Sequence, residues 1–241
     1  MRDLENIQSS RIFGRRQGKP LKAASQERLD RLLPALEIKL PEEGGQPLHP
    51  SVFFSTEGDG VYREFALEIG FGKGEHLAWQ ARANPGRGFI GCEPFINGVS
   101  GLVDKIDEYG LENVRIFADD ARLLMDRLAD QSLDHAYILF PDPWPKNRHH
   151  KRRVINEGNI KALARLLKDG ARLNIATDHR EYCRWILSHM LASPDFTWLA
   201  SGPEDWHVRG DDWPATRYEA KALEQGRRST YLRFGRRCRQ A

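Results

Sequence analysis

The chain has 241 residues, 40% of them hydrophobic and 29% charged, with a formal net charge of +3. That length accommodates one α/β domain with extensions and a sizeable core, and no apolar run approaches the roughly 18 residues that span a bilayer. The first residues lead into no apolar stretch, so secretion is not expected, and Cys92, Cys183 and Cys238, which lack metal-like spacing, are expected as reduced thiols of a cytoplasmic protein.

In chain order, residues 1–60 lack clear periodicity and are punctuated by Gly18, Pro20, Pro34, Pro41, Gly44, Gly45, Pro47 and Pro50. They predict a basic, partly disordered extension with a short helix over 25–36. Strands and helices then alternate: strand 65–69, helix 75–83, strand 88–92, helix 97–109, strand 113–118, helix 121–128, strand 133–140, helix 158–167, strand 171–176 and helix 180–191. Two last strands, 196–200 and 230–234, are expected to be joined by a long irregular loop without a helix. The pattern predicts an α/β, doubly wound, Rossmann-like seven-stranded sheet, mostly parallel with one antiparallel edge strand. The α/β domain is placed at 61–236 and a basic tail at 237–241.

Charge is distributed unevenly. Arg11, Arg15, Arg16, Lys19 and Lys22 form a stretch without acids; Lys146, Arg148, His149, His150, Lys151, Arg152 and Arg153 form a second cluster; Arg227, Arg228, Arg233, Arg236, Arg237 and Arg239 form a third. Three separate basic clusters on a nearly neutral chain imply a local positive field and a nucleic-acid partner.

Ligands of doubly wound sheets bind beyond the carboxyl ends of the strands. Glu68, Glu93, Asp119, Asp120, Asp142, Thr177 and Asp178 all fall at or just past predicted strand ends. After the first strand, Gly70, Gly72 and Gly74 form a turn that lets a ligand approach the backbone. It departs from the dinucleotide fingerprint, whose third glycine would stand where Glu75 is. Glu68 and Glu75 flanking the turn disfavour a pyrophosphate and suit a ligand with ribose hydroxyls and positive charge. Glu93 stands where a ribose-binding carboxylate is expected, and Asp120 with Ala121 offers an acceptor and an amide to an adenine edge. Together they point to S-adenosylmethionine.

These residues, with Pro141-Asp142-Pro143-Trp144-Pro145-Lys146 and its basic run, Ala176-Thr177-Asp178, Thr216-Arg217-Tyr218-Glu219 and the arm 11–19, resemble the bacterial tRNA (guanine-N7)-methyltransferase family in the expected order. The resemblance implies the class I methyltransferase fold and methyl transfer from S-adenosylmethionine to N7 of a guanine in the tRNA variable loop. It further implies that Glu68, Gly70, Gly72, Glu93, Asp120, Ala121 and Asp142 bind the cofactor, with Asp142 also at the catalytic position. Lys146, Asp178, Thr216, Arg217, Tyr218 and Glu219 would hold the substrate, and Arg148, His149, His150, Lys151, Arg152 and Arg153 would contact RNA. No metal is expected, because no ligand cluster accompanies His149 and His150.

Guanine N7 is a lone-pair nucleophile with no proton to lose, so the reaction needs placement rather than a strong base. Asp142 either stabilises charge developing on the base or accepts from its N–H groups, and Trp144 either stacks on the guanine or packs the loop. Other readings are an exocyclic-amine methyltransferase, a non-catalytic RNA-binding protein on the same fold and a nicotinamide dehydrogenase. Trp144 in place of a second proline argues against the first, the intact acids against the second and Glu75 against the third.

Overall fold

The computed structural model describes residues 16–41, 45–54 and 62–240. The apolar run of β1 (Glu64–Ile69) is buried through its centre, as a parallel strand covered on both faces requires. It pairs in parallel with β2 (Arg87–Cys92) and β4 (Leu133–Leu139); β3 (Val114–Phe117) joins β2, and β5 (Leu167–Thr177) joins β4. The remaining strands are β6 (Phe196–Trp198) and β7 (Thr230–Arg236), and the order across the sheet is β3-β2-β1-β4-β5-β7-β6. β7 is antiparallel to both neighbours. The reversed strand therefore lies one place in from the edge, with the short β6 outside it.

Helices cover both faces. Leu29 of α1 (Ala23–Leu36), Leu77 of α2 (Glu75–Ala83) and Val99 and Leu102 of α3 (Ile96–Tyr109) share one apolar cluster with Ala66, Phe89 and Tyr137 of the sheet. On the other face, α4 (Ala121–Met125), α5 (Glu157–Leu166) and α6 (Arg180–Ala192) contribute Leu124, Leu163 and Ile186 to a cluster around Leu67, Ile138 and Ile175.

Two expectations change. Where it is described, the extension before residue 61 is built into the domain. Leu29 is buried against α3, Arg28 bonds Asp104 and Asp107, and Glu37 bridges to Ile116 beyond the edge of β3. Arg11 and Arg15 of the basic arm lie outside the described residues. Second, the connection from β6 to β7 is not without helix: it carries α7 (Glu204–His207) and α8 (Arg217–Glu224). α8 starts with a capping box in which the Thr216 hydroxyl accepts from the Glu219 N–H and the Glu219 carboxylate accepts from the Thr216 N–H. Two orphan donors of the first turn are satisfied reciprocally.

Leu29→Ala should lower stability by about 2–5 kcal/mol, seen as a lower urea midpoint at unchanged slope. An α1 helix merely tethered in solvent would leave the midpoint where it was.

Candidate active site

A cavity of about 840 Å³ opens at the carboxyl ends of β1 to β4, lined by Glu68, Glu93, Asp119, Asp120 and Asp142 among others. This size suits a nucleoside-scale ligand. Its floor is the turn after β1. Gly70 and Gly72 hold φ of 75° and 56°, and no atom lies within 4 Å of where a Cβ would stand on either. Gly98, which sequence reasoning passed over, seats α3 on this turn: a Cβ there would come within 2.4 Å of the Gly72 carbonyl oxygen.

Four of these acids, Glu68, Glu93, Asp120 and Asp119, have a local donor. The buried Glu68 carboxylate takes a bond from His76 Nδ1 at 2.7 Å. Glu93 accepts from the Gly72 N–H at 2.9 Å and the Phe95 N–H at 3.0 Å. Burial nevertheless raises the Glu93 carboxyl above its ordinary range; the two N–H bonds oppose that shift, and the charges of Asp142 and Glu68 add to it. Asp120 caps α4 by accepting from the Arg122 N–H at 3.0 Å and is gripped by the Arg122 guanidinium. Burial pushes the Asp120 carboxyl up, but bonds to Arg122 and its charge outweigh this and hold it below the usual range. Asp119 bonds Arg16 at 2.8 Å, so the described end of the basic arm lies against the cavity wall.

The Pro141–Lys146 segment forms another wall. Phe140 and Trp144 adopt positive φ of 50° and 42°, a conformation L-residues hold only when their surroundings impose it. Asp142 between them is exposed at the cavity. Arg153, for which the resemblance implies an RNA contact, braces that shape from a buried position at the cavity wall. Its buried Nε donates to the Pro143 carbonyl at 2.8 Å and its Nη2 to the Trp144 carbonyl at 3.4 Å. The guanidinium also bonds Glu181 at 3.2 Å and lies over the rings of Tyr182 and Trp185. Arg152 covers the Trp144 ring at 4.9 Å. His150 packs on Trp185 beside Glu181, and His149 meets the edge of Trp144. Burial and the charges of Arg152, Arg148 and Lys146 lower the pKa of His149. Lys146, Arg148 and Lys151 remain exposed.

α8 closes the cavity from the far end of the chain. The Arg217 N–H donates to Glu75 at 2.8 Å and its guanidinium bonds the same carboxylate. Burial raises the Glu75 carboxyl, but the bonds from Arg217 outweigh this and leave it lowered. Glu75, read from sequence only as an objection to pyrophosphate, is thus the anchor of α8. Tyr218 is 64% exposed and nearly parallel to Phe140, 9° between planes with centroids 6.3 Å apart.

Thr216, Arg217 and Tyr218 therefore share one cavity with Glu68, Gly70, Gly72, Glu93, Asp120, Ala121, Asp142, Lys151 and Arg152. Lys146, Arg148, His149, His150, Asp178 and Glu219 do not line it. Asp178 pairs with Arg227, and the Glu219 carboxylate is occupied by Thr216, Arg209 and the Tyr231 hydroxyl.

Two outcomes follow from these contacts. Arg153→Ala should destabilise the protein by about 2–4 kcal/mol, because a buried side chain is removed and the Pro143 and Trp144 carbonyls lose their donor, whereas Arg148→Ala should stay within about 0.5 kcal/mol; paired urea melts measure both. Glu93, with its folded pKa raised above the ordinary 4.5, favours the folded state fully below that pH and loses this contribution as pH rises through the raised value. Glu93→Gln should flatten that loss in melts taken upward from about pH 4.

A family profile described as "Putative methyltransferase" matches residues 63–232. The tRNA (guanine-N(7)-)-methyltransferase of Rhodospirillum rubrum is 47% identical over 235 residues, covering 97% of this chain and 91% of the relative. The protein of the same name from Zymomonas mobilis is 46% identical over 226 residues, covering 94% of each. Among solved structures, the 16S rRNA methyltransferase KamB shares the fold with a TM-score of 0.51 at 15% identity, over 73% of this chain and 89% of that one. The cavity at the strand ends lies within the matched region. The chain belongs to the tRNA (guanine-N(7)-)-methyltransferase family.

Proposed function

We propose that this protein transfers a methyl group from S-adenosylmethionine to N7 of a guanine in the variable loop of tRNA, giving 7-methylguanosine, in the cytoplasm. The observation that carries this reading is an acid-lined cavity with a glycine floor, opening beside the exposed cations Lys146, Arg148 and Lys151. The donor set fits such a cofactor. Glu93 keeps one lone pair free on each oxygen after its two N–H bonds, enough for two ribose hydroxyls. Asp120 and the first-turn N–H of Ala121 face an adenine edge, and the open sides of Gly70 and Gly72 admit the nucleoside close to the backbone. The acids also suit a positive charge, where a pyrophosphate would meet repulsion. When bound, S-adenosylmethionine supplies an electrophilic methyl carbon on a cationic sulfonium.

The chain's own task is placement. Asp142, held at the rim by Arg153 through Pro143 and Trp144, presents a carboxylate toward a base that becomes cationic as N7 takes the methyl group. Tyr218 offers a stacking face, while one face of Trp144 is covered by Arg152. Lys146, Arg148 and Lys151 meet phosphates, so tRNA affinity should fall steeply with salt.

The test is transfer of labelled methyl to bulk tRNA followed by nucleoside analysis. Label in 7-methylguanosine is expected, and label on an exocyclic amino group would refute the assignment. Asp142→Ala should lower turnover at least a hundredfold, roughly the effect of losing one preorganised charge-stabilising group, while filter binding shows tRNA affinity retained. Near-normal turnover would remove Asp142 from the chemistry.

A further inference from the structure

Among the acids lining the cavity, Glu68 is buried, and its partner is a buried histidine rather than a member of the basic clusters. His76 stands in the first turn of α2, its ring between Tyr137 at 4.7 Å and Trp213 at 5.4 Å. Beyond it, Gln80 Nε2 lies 3.3 Å from His76 Nε2 and 2.6 Å from the Asp212 carbonyl oxygen, and Gln80 Oε1 accepts from Asn84 at 3.3 Å. The Asp212 carbonyl can only accept, so the Gln80 amide has one orientation, with its NH₂ toward both Asp212 and His76. His76 Nε2 must then accept, which puts the ring hydrogen on Nδ1, aimed at Glu68 Oε2. The far end of the chain thereby sets the direction of the near end. Glu68 Oε1 is left without a hydrogen bond to any described residue, at the cavity wall.

That far end is the segment leading into Thr216, Arg217 and Tyr218. Trp213, next to Asp212, is itself buried against His76 and Tyr231. We propose that His76 is a positioning residue: the Glu68–His76–Gln80–Asp212 chain aims the Glu68 carboxylate at the methyl donor and makes the order of residues 208–219 depend on donor binding. The proposal rests on the cavity being the S-adenosylmethionine site. A ligand that fixes Oε1 removes the remaining freedom of the carboxylate, and linked hydrogen bonds strengthen one another in a low-dielectric interior. Order gained at one end lowers the entropy cost of order at the other. The coupling is reciprocal, so a loosened 208–219 segment must weaken donor binding.

The experiment uses the full chain, with S-adenosylmethionine titrated calorimetrically and amide hydrogen exchange followed over 208–219 with and without it. In the wild type, the donor should slow exchange across that segment. His76→Ala should weaken donor affinity about tenfold or more, the effect of losing a buried bond to a charged group. Gln80→Leu, which keeps the size and touches no part of the donor cavity, should weaken it about threefold, and both variants should lose the donor-dependent protection. Packing loss alone would lower the melting temperature of Gln80→Leu but leave protection intact. The relay is overturned if the wild-type segment ignores the donor, or if Gln80→Leu keeps the donor-dependent protection or binds the donor within about twofold of wild type; should His76→Ala fail to fold, Gln80→Leu decides. A wild type that binds no donor would overturn the cofactor assignment itself, whereas normal binding with unaffected variants overturns the relay alone.

Discussion

The reversal of strand order between β1 and β4 is the constraint on which the site depends. β2 and β3 extend the sheet on one side of β1, while β4 and β5 extend it on the other. The helix after β1 packs on one face and the helices α4 to α6 on the opposite face, so the connections part above the carboxyl ends and leave a crevice. The carboxyl ends of four strands meet there, and each end or the loop after it brings an acid. Burial raises the Glu93 carboxyl, and the neighbouring charges of Asp142 and Glu68 add to that cost. The fold limits that cost by giving four of these acids a private donor: His76 for Glu68, two backbone N–H groups for Glu93, Arg122 for Asp120 and Arg16 for Asp119.

The basic run after Asp142 divides by depth. Lys146, Arg148 and Lys151 face solvent, Arg152 lies on an indole ring, and Arg153 is enclosed. One stretch of like-charged side chains therefore supplies both a solvent-facing cationic surface and the brace of the loop beside it. The same economy recurs at Glu75, whose carboxylate fixes α8 over the cavity by holding Arg217.

Much of this was legible in the amino-acid order. Apolar runs ending in glycine or an acid located β1 to β4, and 75–83 matched α2 to the residue, because buried strands and amphipathic helices carry their own periodicity. What escaped was non-local. Arg148 and Arg153 are chemically alike in sequence, and burial of the latter is decided by Tyr182 and Trp185 on α6. The place of β7 between β5 and β6 depends on a gap that only the assembled sheet defines. α8 is a different kind of miss: Thr216 and Glu219 carry the spacing of a capping box, but the segment is expected as irregular loop and the resemblance implies only that both hold the substrate. In the structure Thr216, Arg209 and Tyr231 surround the Glu219 carboxylate.

Arg153 holds Pro143 and Trp144 by their carbonyl oxygens, not by their side chains. A brace of that kind is indifferent to what the gripped residues carry. Arg153, itself seated on Tyr182 and Trp185 of α6, fixes the backbone path of the loop, so the Asp142 carboxylate takes its place from main-chain contacts.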